Sequence, residues 1–295
     1  MFLFSQQLKI GSRSSKLALW QAEFVAKQLK SLGIDSTIVP IKTQGDKIDK
    51  PLYEFGGKGL FIKELEKALI DGQIDIAVHS LKDMSVFEDK TFEFVVLKRD
   101  YHVDTFVSFK GNIFELEKHA KIGTSSLRRQ AELLRLRDDI EFMPLRGNLD
   151  TRLKKLKSGV VDGIVVSKSG LMRLGLYDEY YMYDLDVVVP AAGQGVIAVE
   201  FLRDSPFKDD LKKLEDEETR VCIEAERSFV VQLNASCNYP IGAYAYFNKD
   251  GEFCMRVSYG FVDNLKRLIR FSLCDRSPIF VLSKVVDEVL KRIKQ

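Results

Sequence analysis

The chain has 295 residues, 45% hydrophobic and 30% charged, with a mean hydropathy of −0.10. That composition excludes a disordered or fibrous chain and leaves room for two or three domains. Lys and Arg number 45 against 43 Asp and Glu, a net charge of +2, which argues against nucleic acid as a partner and makes any basic site local.

The start, MFLFSQQLKIGSR, has a short apolar run and no basic flank, so no secretory signal is expected. No stretch reaches the ~18 apolar residues of a membrane span, so no membrane association is expected and the cytoplasm is the expected compartment. Cys222, Cys237, Cys254 and Cys274 form no CxxC pair, which speaks against a zinc ribbon or a redox centre. A disulfide framework is not expected either.

Along the chain, Leu8–Ser12 and Thr37–Lys42 read as strands. A helix between them carries Leu17, Trp20, Phe24 and Leu29 near helical spacing. Lys58–Asp71 reads as a helix with Leu60, Leu65 and Leu69 inward and Gly72 past its end. Ile74–His79 and Phe92–Leu97 read as buried strands. This βαβ rhythm predicts a largely parallel sheet covered by helices.

A second cycle follows. Strands are expected at Thr105–Ser108, Lys121–Gly123, Glu141–Leu145, Ile164–Ser167 and Val187–Val189. Helices fit at about Ser126–Arg137, Asn148–Lys157 and Ser169–Leu174. Val196–Glu200 is a further strand after PAAGQG. Two similar units joined near 98–104 and again near 190–196 suggest a cleft between domains with a double hinge. The last part differs. A charged helix, Glu217–Leu233, precedes a loop, Asn234–Tyr239. Then come antiparallel strands at Ala243–Phe247, Phe253–Tyr259 and Ile269–Leu273, and a closing helix at Ser283–Ile293. The expected division is 1–99 with 195–215, then 100–194, then 216–295.

Arginines gather at strand ends and helix starts: Arg13 in KIGSRSS, Arg128 and Arg129 in IGTSSLRRQ, Arg146 in LRGN, Arg152 in DTRL. Free backbone N–H groups and a positive helix end favour anions there, and guanidinium grips carboxylate or phosphate in a fork. Ser15 and Ser126 add hydroxyls. One such arginine reads as a solvated surface group; five at equivalent places read as a polyanion pocket. In VHSLKDM, Lys82 and Asp83 follow a strand. Asp83 either caps a turn or pairs with Lys82, or it serves a cation, since an anion pocket has no other use for a carboxylate. No histidine has a partner at metal-ligand spacing, so no metal is expected. Cys237, in the small-residue loop QLNASCNYPIG, is the most reactive candidate thiol. Cys222, Cys254 and Cys274 read as packing residues. GGKGLF (56–61) lacks both the P-loop ending and the dinucleotide spacing, and reads as a loop entering a helix.

Taken together, KIGSRSSKLALWQA, GGKGLFIKELEKAL, DIAVHSLKD, IGTSSLRRQ, LRGNLDTRL, PAAGQG and AERSF followed by SCNYPIG resemble the porphobilinogen deaminase (hydroxymethylbilane synthase) family, in its order, from residue 8 to about 245. The resemblance implies an α/β fold: two periplasmic-binding-protein-like α/β domains around a cleft plus a small C-terminal α+β domain. It also implies a monomer. It implies a transferase of tetrapyrrole (haem) biosynthesis that condenses four porphobilinogen molecules head to tail. They grow on a dipyrromethane cofactor held by a thioether to Cys237, with loss of ammonia and final hydrolysis. Six pyrrole rings carry twelve carboxylates, which suits the arginines. The resemblance makes Asp83 the catalytic acid, beside the cation left when ammonia departs. It assigns Cys237, Lys82, Asp83, Ser126, Arg128, Arg129 and Arg146 to the cofactor. Arg13, Ser15, Gln21, Lys58, Arg146, Arg152 and Gln194 fall to the substrate. The chain departs from the family at Lys16, Gln44, Ser85, His102-Val103-Asp104 and Ala235-Ser236, which bears on hinge and loop detail.

Overall fold

The computed structural model describes residues 7–42, 62–87, 89–177, 180–234 and 239–295. They fall into two compact units. The first holds described residues up to Arg99 and 196–220; the second holds 100–195 and everything from Val221 on.

The first unit contains β1 (Leu8–Arg13), α1 (Lys16–Ser31), β2 (Ser36–Ile41), α2 (Lys63–Ile70), β3 (Ile76–Ser80), β4 (Phe92–Val96), β10 (Ile197–Leu202) and the short α6 (Lys208–Lys212). The sheet order is β2-β1-β3-β10-β4. β1 is parallel to β2 and β3, whereas β10 is antiparallel to β3 and β4. Apolar residues bury on both faces. Ile10, Ile76, Val78, Val95, Val199 and Phe201 pack under α1; Ile74, Ala77 and Phe92 pack under α2. Such two-sided burial gives the continuous apolar runs seen in the sequence.

The second unit repeats the plan. β5 (Asp104–Ser108), β6 (Lys121–Gly123), α3 (Leu127–Leu136), β7 (Glu141–Met143), α4 (Leu149–Lys157), β8 (Gly163–Ser167), α5 (Lys168–Arg173) and β9 (Tyr181–Asp184) form a sheet ordered β7-β6-β8-β5-β9. β6 is parallel to β7 and β8; β5 is antiparallel to β8 and β9. Position for position the two sheets match. The reversed strand occupies the same place in each, but it is the last strand of the first sheet and the first strand of the second. Both reversed strands follow a connection, β5 after 100–103 and β10 after 190–196.

A third sheet is antiparallel throughout: β11 (Ile241–Phe247), β12 (Phe253–Phe261) and β13 (Asn264–Asp275). α7 (Glu217–Gln232) precedes it and α8 (Pro278–Ile293) follows, capped by Ser277 Oγ and started by Pro278. The molecule is therefore α/β with two sheet-and-helix domains and a small C-terminal sheet-and-helix domain.

Several expectations are corrected. The sheets are mixed rather than largely parallel, because each takes a reversed strand where the chain crosses. Val187–Val189 is not a strand. Its main chain is spent on side chains: Asp186 O accepts from Arg256, Val187 O from Arg270, Val189 O from Arg128, and Val189 N–H donates to Glu132. The strand there is β9, which pairs on the free edge of β5. α6 was not anticipated. On α1 the buried stripe is Gln21, Ala22, Val25 and Leu29, while Trp20 and Phe24 stack on its flank. Finally, Cys254 and Cys274 are not separate packing residues. They lie opposite each other in the β12–β13 register and form a disulfide.

Beneath α2, His79 Nε2 lies 3.0 Å from Glu200 Oε2, both buried. Glu66 on α2 shares this face, and burial first, then the Glu200 charge, pushes its carboxyl above the usual range. A raised acid pKa means that the charged form costs stability above that pKa and nothing below the ordinary carboxylate range. Glu66→Gln should therefore raise Tm by a few degrees at pH 7, and the gain should vanish on titration to below pH ~4. A loss of Tm at pH 7 would reverse the assignment.

Candidate active site

In a parallel sheet the carboxyl ends of strands share one edge, and side chains needed for chemistry collect there. On the first sheet, β1 ends in Arg13, and Ser15 caps α1 by accepting from Ala18 N–H at 3.3 Å. β3 ends at Ser80 and passes directly into a 3-10 turn, Leu81–Asp83, closed by Met84 N–H to Leu81 O. Arg13, Ser15, Lys82 and Asp83 are all half-buried at this one edge. Asp83 makes no side-chain hydrogen bond or ion pair among the described residues, so neither the capping role nor the Lys82 pairing is realised. Gln21 is 2% exposed, and its amide exchanges hydrogen bonds with Ser80 Oγ at 2.8 and 3.2 Å. It braces the end of β3 rather than presenting a free amide. Lys58 lies outside the described residues.

The second sheet carries the corresponding edge. β6 ends in Gly123, and Ser126 caps α3 by accepting from Arg129 N–H at 3.4 Å. Arg128 and Arg129 occupy the first turn of α3 and are 5% and 7% exposed. Asp104 opens the reversed strand β5 at this same edge and is 0% exposed. Its Oδ1 accepts from Arg129 Nε at 3.1 Å and Nη2 at 2.7 Å, and its Oδ2 lies 2.8 Å from Arg128 Nη2. Gln194, 1% exposed, donates to Asp104 Oδ1 at 3.0 Å and to His102 O at 2.8 Å. The remaining bonds go to main chain, Arg128 Nη1 to Val189 O and Arg129 Nη1 to Val165 O. Burial pulls the Arg128 pKa below its usual value, opposed by the Asp104 charge. Arg146 is half-buried after β7, and Arg152 in α4 donates to Gly147 O at 2.9 Å. Cys237 lies outside the described residues.

The paired arginines are thus already partnered, which sequence reasoning did not anticipate. Both guanidiniums share Asp104, and the buried Glu132 of α3 also acts on Arg128, so two cations and two carboxylates are gathered at the first turns of α3. Carboxylates such as those of a dipyrromethane would find donors here in the guanidinium N–H groups, the helix start behind the Ser126 cap and Arg146. The residues present fit the group. Sequence reasoning also missed Asp104 as a functional residue and Arg173 altogether. Arg173 donates to Gly195 O at 2.9 Å and lies 3.4 Å from Asp100. The signal for Asp104 was in plain view: an aspartate opening the apolar strand DTFVS needs a buried cation.

Two family models match the chain. "Porphobilinogen deaminase, dipyromethane cofactor binding domain" covers residues 8–209, and "Porphobilinogen deaminase, C-terminal domain" covers 220–272. The porphobilinogen deaminase of Helicobacter hepaticus (strain ATCC 51449 / 3B1) is 44% identical over 251 residues, 83% of this chain and 78% of that protein. That of Syntrophotalea carbinolica (strain DSM 2380 / NBRC 103641 / GraBd1) is 46% identical over 248 residues, 82% of this chain and 79% of that protein. Among solved structures, the second substrate binding domain of a putative amino acid ABC transporter from Streptococcus pneumoniae Canada MDR_19A overlays with a TM-score of 0.45. It is 12% identical, covering 78% of this chain and 95% of that one. With both domain models matched in order across most of its length, the chain belongs to the porphobilinogen deaminase family.

Proposed function

We propose that this protein joins four porphobilinogen molecules head to tail, loses one ammonia per joining, and frees the linear tetrapyrrole by hydrolysis. The observation that carries the reading is the contrast between the two sheet edges. One holds an uncommitted, half-buried carboxylate, Asp83, and the other holds two buried guanidiniums with a single carboxylate between them. The first suits a developing cation, and the second suits acetate and propionate groups.

When bound, dipyrromethane supplies the nucleophilic pyrrole carbon on which growth begins. The protein's own residues do the rest. Arg128, Arg129, Arg146 and Ser126 hold cofactor carboxylates, and Cys237 provides the covalent tether. Arg13, Ser15 and Arg152 orient porphobilinogen by its carboxylates, with Lys58 assisting, and Gln194 acts indirectly, through Asp104. Gln21 acts through Ser80. Asp83 Oδ accepts from the substrate pyrrole N–H, stabilises the positive charge as ammonia leaves, and carries a proton between steps; Lys82 assists beside it. The domains run 1–99 with 195–215, 100–194, and 216–295, and the two connections serve as hinges. The enzyme works as a cytoplasmic monomer, without nucleic acid or membrane.

Intact mass spectrometry tests the reading. Protein made with porphobilinogen available should exceed its sequence mass by two pyrrole units, and Cys237→Ala should return it to sequence mass. A wild-type chain at bare sequence mass would refute the reading. An adduct that survives Cys237→Ala would move the tether elsewhere.

A further inference from the structure

Strand β11 begins at Ile241, a few residues after Cys237, and within the second unit it touches both connections. The second connection is held by main-chain groups. Ala243 N–H donates to Pro190 O at 3.0 Å. The buried Glu226 carboxylate on α7 accepts from Gly193 N–H at 2.7 Å and from Ala245 N–H at 2.8 Å, joining strand, helix and connection. The first connection meets the same strand through rings. The His102 imidazole stacks on Tyr244, centroids 3.9 Å apart and planes 9° from parallel. Tyr244 in turn stacks on Tyr246 at 5.2 Å, its neighbour on the same face of the strand. The two connections are also tied to each other. Gln194 Nε2 donates to His102 O, and Asp100 N–H donates to Gly195 O at 3.2 Å. Gly195 has φ +86°, and a Cβ there would lie 2.7 Å from Tyr101 O, so the two segments run in close contact.

We propose that Tyr244 is a positioning residue for the reaction: acting through His102, it fixes the first connection against the strand that follows the Cys237 loop. β11 then registers the placement of both connections, one by hydrogen bonds and one by a ring stack. Of the two attachments the stack is the softer, because Ala243 and Glu226 bond to main chain while the rings hold by their faces. A step that displaces the first connection acts first on the His102–Tyr244 contact. The proposal rests on the tetrapyrrole-building reading only for its kinetic consequence; the structural tie stands apart from it.

Full-length Tyr244→Leu and Tyr244→Phe separate the outcomes. Leucine keeps bulk on a half-buried strand position but has no ring, whereas phenylalanine keeps the stack. In Tyr244→Leu, amide hydrogen exchange across 98–104 should quicken about two- to tenfold, the range one aromatic pair is worth. With porphobilinogen as substrate, kcat should fall by a similar factor while KM stays within about twofold, since no carboxylate-holding side chain is touched. Tyr244→Phe should restore both. Unchanged exchange across 98–104 in Tyr244→Leu overturns the proposal, as does quickened exchange with normal kcat, or a phenylalanine variant that restores neither. If the wild-type protein consumes no porphobilinogen, the functional reading falls instead, and the exchange arm alone decides whether Tyr244 holds the connection.

Discussion

Replacing Asp104 with alanine is expected to lower the unfolding free energy by about 3–5 kcal/mol, the cost of leaving a buried charge uncompensated. Asp104 is fully buried, and both of its oxygens face guanidinium groups that are themselves almost wholly buried. Removing it leaves Arg128 and Arg129 side by side with no anion between them. Against a typical total stability of about 5–15 kcal/mol, that loss is a large fraction. Urea unfolding followed by far-UV circular dichroism measures it. The companion variant, Asp104→Ala with Arg128→Met and Arg129→Met, should recover much of the loss, because the carboxylate and both guanidiniums it pairs are then removed together. An Asp104→Ala midpoint equal to wild type would mean that solvent reaches the arginines in place of the carboxylate. Alanine in the single variant should also lower cofactor content, which the intact mass reports.

Asp83→Asn should behave in the opposite way. The side chain has no hydrogen bond or ion pair among the described residues, and the turn that carries it is closed by main chain. Stability should hold near wild type. Turnover of porphobilinogen should fall about 100- to 1,000-fold, the usual effect of deleting one electrostatic group aimed at developing charge. The cofactor mass should remain, because Asn keeps the shape and accepts a hydrogen bond. Near-normal turnover would make Asp83 a bystander and shift the charge-stabilising role to another group.

Much of the fold was legible because the signals were local. The helix expected at about Ser126–Arg137 is Leu127–Leu136, its start marked by the Ser126 cap. The helix expected to stop at Gly72 does so, and that residue has φ +66°. Strand direction was not local. β5 and β10 are buried on both faces, so nothing in their apolar runs tells parallel from antiparallel, and only the crossing of the chain reverses them. Register was equally hidden. Cys254 and Cys274 pair across 20 residues of sequence, and their meeting depends on how two strands align. At the site, the positions of Arg13 and Asp83 at or just past strand ends, and of Ser126, Arg128 and Arg129 at a helix start, could be read from the sequence. The commitment of two arginines to Asp104 could not, since that contact spans 25 residues and turns on where a reversed strand begins.

The order in which the chain leaves the ribosome bears differently on the two five-stranded sheets. The second is encoded without interruption between 104 and 184, so all its strands emerge together. The first waits. Among the described residues β4 pairs only with β10, and β10 is synthesised only after the whole second sheet. Until Val199 and Phe201 arrive, Val78 of β3 and Val95 of β4 lack the strand that lies between them. The amino-terminal third of the protein therefore spends about a hundred residues of translation, some five to twenty seconds, with an incomplete hydrophobic sheet. That interval is when a holdase chaperone would find it.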